Sequence, residues 1–295
     1  MNLDTIKKIK EISLKAIYSD DHLMEIFVFK GGSAIDMFYP NMASRSSKDL
    51  DFSMEADIEY EKLDEFANKI EKTLEKTFEE EGYVIFDYSL KPKPKVVSDD
   101  LKDFWGGYKV EFKIIDKDSY DKNKLNWDRL RKKAIVIGVN QEKKFNIDIS
   151  KYEYCRNSIN FDFDNLKVVV YAPEMIAIEK LRAICQQMPE YNKIIKRQRE
   201  GNKSSRSRDF FDFYYIMKNN RFNISSPRNL EHVKKCFEIK RVPIHLISKI
   251  QDMEEYFEHG FQNIKENSLI KPKEFEFYFK FLVEKCKKLE ILWIE

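Results

Sequence analysis

A chain of 295 residues, 42% hydrophobic and 14% aromatic, can bury a sizeable core, and its length points to two domains or to one with an appendage. Its 53 basic and 51 acidic side chains leave a net charge of +2, which excludes a global preference for polyanions and confines any nucleic-acid surface to a local patch. The four cysteines (Cys155, Cys185, Cys236, Cys286) have neither metal-ligand spacing nor the pattern of a disulfide framework. No apolar run reaches membrane-spanning length and no leader is visible, so the expected compartment is the reducing cytoplasm, with no membrane partner. The histidines (His22, His232, His245, His259) do not cluster, and there is no internal repeat.

In chain order, residues 3 to 18 read as an amphipathic helix with Ile6, Ile9, Ile12 and Leu14 inward. Residues 26 to 29 read as a buried strand ending at Gly31-Gly32, and a helix from 33 to 39 is stopped by Pro40. A strand carrying Asp49 and Asp51 follows, then a helix over 58 to 80. A strand over 83 to 89 ends at Lys91-Pro92-Lys93-Pro94. Tyr108, Val110, Phe112 and Ile114 alternate with Lys109, Glu111 and Lys113, and Phe145, Ile147 and Ile149 alternate with Asn146, Asp148 and Ser150; both segments are half-buried strands. From Pro173 onward the pattern is almost wholly helical, and after about residue 220 it carries no motif. The expected fold is α+β, a mixed sheet flanked by helices over residues 1–171 and a helical region over 172–295.

Chemistry concentrates in Lys30-Gly31-Gly32-Ser33 and Arg45-Ser-Ser47-Lys-Asp49-Leu-Asp51. On a strand the period of two puts Asp49, Asp51 and Ser53 on one face, so two carboxylates point the same way. Such like charges are unfavourable unless a cation joins them, and hard cations such as Mg²⁺ take carboxylate and phosphate oxygens. The Gly-Gly turn lets backbone N–H groups approach a phosphate, and Ser33 starts a helix whose N-terminus favours anions. Either half alone reads as readily as a solvated strand face or a plain turn; the strand–glycine–helix–strand spacing joins them.

Glycine-serine followed about a dozen residues later by Asp-x-Asp resembles the DNA polymerase β-type nucleotidyltransferase superfamily. Lys30-Gly-Gly-Ser33-Ala34 with Arg45-x-Ser47-x-Asp49-Leu-Asp51-Phe52 resembles, more narrowly, the AbiEii/AbiGii abortive-infection toxins. Pro173-Glu-Met-Ile-Ala-Ile-Glu179-Lys180-Leu181 is similar to that family's Glu-Lys-Leu helix. Arg206-Ser-Arg208-Asp209-Phe-Phe-Asp212 is similar to its Arg-x-Lys-Asp-x-x-Asp helix, with Arg208 in place of the commoner lysine. The order agrees from about residue 25 to 217.

The resemblance implies a polymerase β-like palm and transfer of a nucleoside monophosphate from an NTP, with pyrophosphate released. Asp49, Asp51 and Asp148 would hold Mg²⁺ or Mn²⁺, with Glu111 as the rival to Asp148 for third carboxylate. Lys30, Gly31, Gly32, Ser33 and Lys180 would contact the nucleotide. Arg45 and Ser47 would either contact it or hold the loop. Lys180 lies at the edge of an apolar helical stripe, so a lysine snorkelling over that edge is the alternative to a triphosphate contact. Asp209 is the expected functional acid of the next helix, while Asp212 is equally placed to pair with Arg208. The implied partners are an RNA acceptor, most plausibly the 3′ end of tRNA, and a separately encoded antitoxin. The basic stretch Lys193, Lys196, Arg197, Arg199, Lys203, Arg206 and Arg208 is either the RNA surface or a solvated linker. Transfer to a protein or small molecule, and a non-catalytic nucleotide- or RNA-binding protein on the same scaffold, are the alternatives.

Overall fold

The computed structural model of the protein describes residues 3–40, 47–138, 141–196, 206–267 and 271–294. The chain divides into two compact units: Met1–Ser33 with Ser46–Cys155 and Ile159–Val170, and Ala34–Arg45 with Arg156–Ser158 and Tyr171–Glu295.

The first unit is built on the sheet. Its elements are α1 (Leu3–Tyr18), α2 (Asp21–Ile26), β1 (Val28–Lys30), the start of α3 (Gly31–Phe38), β2 (Leu50–Ser53), α4 (Leu63–Glu80), β3 (Tyr83–Lys93), β4 (Gly107–Asp116), α5 (Lys117–Asn123), α6 (Trp127–Lys133), β5 (Phe145–Ser150), β6 (Ser158–Phe163) and β7 (Leu166–Tyr171). The strands lie in the order β3-β4-β5-β2-β1-β7-β6. β2 is parallel to β5 and antiparallel to β1, and β4 is antiparallel to both β3 and β5, so the sheet is mixed.

Alternation decides which face is the core. Val110, Phe112 and Ile114 of β4 and Phe145, Ile147 and Ile149 of β5 are buried. Phe112 meets Phe78 of α4 edge-on at 5.7 Å, and Phe52 of β2 packs between Phe27 and Phe29 at about the same distance. The Tyr18 hydroxyl donates to the Val169 carbonyl at 2.6 Å and accepts from Phe29 N–H, tying α1 to two strands; burial pushes this phenol far above its ordinary range. The opposite face carries Lys109, Glu111, Lys113, Asn146 and Asp148. α5 and α6 pack against its far end, where Leu130 and Ala134 meet Phe86 and Ile115.

The second unit is helical: the rest of α3, α7 (Pro173–Cys185), α8 (Pro189–Ile194), α9 (Ser207–Asn219), α10 (Pro227–Ile239), α11 (Leu246–Lys249), α12 (Glu254–Glu258), α13 (Gln262–Asn267) and α14 (Phe275–Lys287). From Met175 to Cys185 every residue of α7 except Glu179 is buried, the signature of a helix surrounded by others. Phe210 of α9 packs against Phe257, Phe275 and Phe279 at 5.0 to 5.8 Å, the aromatic core of this half.

The α+β expectation holds, with differences of detail. The strand expected from residue 26 begins at Val28. Residues 21–26 form α2, whose Asp20 side chain accepts from Leu23 N–H as an N-cap. Asp49 precedes β2, which starts at Leu50. The strand expected to end before its prolines runs to Lys93 because β3 lies at the sheet edge, where Pro92 need not donate to a further strand. β6 and β7 were not anticipated; they are joined through Asp164 and Asn165, both at positive φ, a pairing that suits a tight hairpin turn.

Candidate active site

Gly31 opens α3 directly after β1 at φ +76°, a conformation in which a side chain is strained. A Cβ there would lie 2.8 Å from the Asp51 carboxylate carbon, so the glycine lets the helix start and the carboxylate occupy one place. Asp51 pairs in register with Lys30 on one side and with Asp148 on the other, so Asp51 and Asp148 stand side by side on adjacent parallel strands. Asp49 accepts from Asn146 Nδ2 at 3.2 Å. Burial, with further help from the neighbouring Asp148 and Glu142 charges, raises the Asp49 carboxyl above its ordinary range despite that hydrogen bond.

The other glycine-loop residues hold this corner together. Ser33 donates to the Asp49 carbonyl at 2.8 Å and accepts from the buried Lys10 ammonium at 3.4 Å. Ser47 Oγ lies 3.5 Å from the same carbonyl. Lys30 is 5% exposed and ion-paired at 3.5 Å with buried Glu153, so its charge is used inside the unit. Arg45 lies outside the described residues.

Asp148, the expected third carboxylate, is gripped by Lys93, whose ammonium is 2.9 Å from each oxygen. Glu111, its rival, pairs with Lys109 and Lys144, and those partners hold its carboxyl below the ordinary range. Lys109 stands directly across from Asp148 in the ladder. Lys10, Lys93, Lys109 and Asn146 were missed from sequence. The alternation that singled out Asp148 also places Lys109 and Asn146 on its face and could have found them; Lys93 needed the edge-strand register. Among the described residues no three of His, Cys, Asp and Glu converge on one point as they stand. In chemistry the set fits a hard divalent cation, because its donors are carboxylate oxygens.

In the second unit Lys180 is 6% exposed and donates to Asp209 at 2.9 Å and Asp212 at 2.6 Å, joining α7 to α9. The lysine does not snorkel over an edge. Burial alone would lower its pKa, but the two carboxylates raise it overall, and Asp209 is correspondingly lowered by Lys180 and Arg206 against the opposing effect of burial. Asp212, set aside as an Arg208 partner, belongs to this network as fully as Asp209; Arg208 stands 3.7 Å from it. Arg206 reaches Asp209 at 3.2 Å, so two cations of the expected RNA stretch are turned toward this network. Arg197, Arg199 and Lys203 lie outside the described residues.

A mixed-sheet palm with paired carboxylates beside a glycine turn is the arrangement of a nucleotidyltransferase. The family model described as "Nucleotidyl transferase AbiEii toxin, Type IV TA system" matches residues 13–279. The protein belongs to the AbiEii family of nucleotidyltransferase toxins. No curated protein matches its sequence. Among solved structures it is similar to the crystal structure of an antigenic nucleotidyltransferase-like protein from Paracoccidioides brasiliensis, at 14% identity and a TM-score of 0.38, with 87% of this chain and 94% of that chain covered. No helix among the described residues is long and apolar enough to cross a membrane.

Proposed function

We propose that the carboxylates of β2 and β5 form a divalent-metal site for transfer of a nucleoside monophosphate from an NTP to RNA, the 3′ end of tRNA being the favoured acceptor. The observation that carries this reading is the corner itself. Gly31 admits the Asp51 carboxylate, Asp51 stands beside Asp148, and Asp49 carries an upward-shifted carboxyl against them. Asp49 and Asp51 would hold Mg²⁺ or Mn²⁺, with Asp148 joining when it exchanges its Lys93 partner. The cation would supply charge neutralisation of the triphosphate and a lowered pKa for the attacking hydroxyl.

The chain's own groups do the rest. The N–H groups at the start of α3, unpaired within a helix, would cradle the outer phosphates at Gly31, Gly32 and Ser33. Lys93, once released from Asp148, would place its ammonium on the departing pyrophosphate. Lys180 and Asp209 act as positioning residues that fix α7 against α9. The antitoxin that the family implies and a cytoplasmic setting complete the reading.

The test is uptake of label from NTPs into total RNA, protein or small-molecule fractions with Mg²⁺ present. Asp49→Ala and Asp51→Ala should each reduce uptake by at least about 100-fold, on the scale of losing one essential electrostatic group, with thermal stability kept. Near wild-type uptake by either variant would remove the metal site. Label entering protein or small molecules but not RNA would remove the acceptor.

A further inference from the structure

The polar face of the sheet continues beyond the carboxylates. Lys109 pairs with Asp148 in the ladder, and Glu111, Lys113 and Ile115 follow on the same face of β4 at alternate positions. Lys113 reaches Asp87, Asp87 takes a two-pronged contact from Arg131 of α6, and Ile115 packs under Leu130 and Ala134 of the same helix. α6 therefore stands on the carboxylate face, about 20 Å along β4 from Asp148 at ~3.4 Å per residue.

What α6 exposes is unusual for this molecule. Leu125, in the turn before it, is 97% exposed, and Trp127 at its first position is 52% exposed, with the Arg131 guanidinium 5.9 Å from the ring centroid. Arg129, Lys132 and Lys133 are exposed and form no ion pair among the described residues, whereas Lys117, Lys124 and Arg131 nearby are paired with carboxylates. A half-exposed planar ring beside exposed cations without a carboxylate partner among the described residues is the combination that binds single-stranded nucleic acid: bases stack on the ring and phosphates meet the cations.

We propose that Trp127, Arg129, Lys132 and Lys133, with Leu125, grip the single-stranded backbone of an RNA whose end reacts at the carboxylates. This rests on the transfer reading above. With its bases stacked at the duplex spacing of about 3.4 Å per phosphate, a strand covers the 20 Å track with roughly six nucleotides, so a stacked trinucleotide reaches one end but not both.

The experiment measures binding of labelled oligouridine to the full chain across a salt series, using a trinucleotide and a strand of about twelve, inside the ~4–16-nucleotide span of basic grooves. The triple variant Arg129→Gln/Lys132→Gln/Lys133→Gln should weaken the longer strand and lower its slope in log affinity against log salt by about two, ~0.7 for each lost contact. Trinucleotide binding at the carboxylates should stay as it was. Trp127→Ala should weaken the longer strand at least about fivefold and Trp127→Phe should restore most of the loss, which separates stacking from a packing defect against Phe86. An unchanged salt slope in the triple variant, equal weakening of both lengths, or equally tight competition by polyglutamate would each overturn the proposal. Asp49→Ala serves as the independent arm, since it should keep strand binding. RNA labelling by the wild type with unaltered binding in the triple variant sinks this surface alone. Loss of strand binding in the triple variant with no RNA labelling by the wild type sinks the transfer reading alone.

Discussion

Two groups of charges in this molecule look alike in sequence and differ in physics. In the first unit Asp51 and Asp148 stand side by side on adjacent strands, with half-buried Asp49 just before them raised by burial and by its acidic neighbours. In the second, Asp209 and Asp212 are buried but share Lys180, and Asp209 is lowered. Asp49, held above its ordinary range chiefly by burial, resists ionising until a cation or donor lowers that cost, which is compatible with a metal site. Asp209, lowered by Lys180 and Arg206 against burial, already has cations beside it, and its bond from Lys180 joins α7 to α9.

The largest effect that can break this contrast is at Lys180. Replacing it with Met leaves buried Asp209 and Asp212 with only the part-exposed Arg206 and Arg208, and stability to denaturant should fall by up to about 3–5 kcal/mol. The combined Lys180→Met/Asp209→Asn/Asp212→Asn variant should recover much of that loss, since no buried charge is then uncompensated. A Lys180→Met protein of native stability would mean the network is not structural.

A smaller loss is expected at Gly31. Gly31→Ala adds a Cβ at positive φ against Asp51 and should cost about 1–2 kcal/mol for the left-handed backbone, with the carboxylate forced aside. Thermal melting and NTP labelling should both drop. Full labelling with lowered stability would show that the Asp51 position is not critical.

The smallest effect is a pH slope, and its sign differs between the groups. The folded pKa of Asp49 lies above its ordinary 3.8, so the native chain keeps a proton that the unfolded chain has released. Its contribution to stability is present at acid pH and falls as pH rises through that window. Asp209 runs the other way: its stabilisation is present above about 3.8 and is lost as pH falls toward its lowered folded value. Denaturation of Asp49→Asn across pH should therefore lack a decline toward neutral pH that the wild type shows, and Mg²⁺ should remove the same decline from the wild type. Identical pH profiles for the two proteins would refute the raised carboxyl at Asp49.

Much of the first unit was legible because its signals are local. The alternation in β4 and β5 gave the core face and put Asp148 on the polar one, while its place beside the Asp49-Leu-Asp51 run was implied only by the family resemblance and is seen in the strand pairing. Other features depend on partners distant in sequence. Lys180 sits on an apolar stripe, and nothing near it reveals that residues 29 and 32 positions later will surround its ammonium. Lys93 looked like part of a strand terminator because prolines flank it, and only the edge position of β3 lets the strand continue to reach Asp148. α2 and α6 are six and seven residues long, too short for a helical period to show, although Asp20 and Asn126 mark their starts as caps.

The edge strand has one more effect. β3 ends the sheet order, and an outer strand normally offers unpaired N–H and C=O groups as a template for another chain. Here Asp87 sits at φ 52° where the register shifts between Phe86 and Ser89, and the exposed stretch beyond carries Lys91, Pro92 and Lys93. The irregularity twists the border, the proline withholds a donor, and the lysines of two copies would repel each other. The irregularity, the proline and the exposed Lys91 thus make this rim a poor template for a further strand.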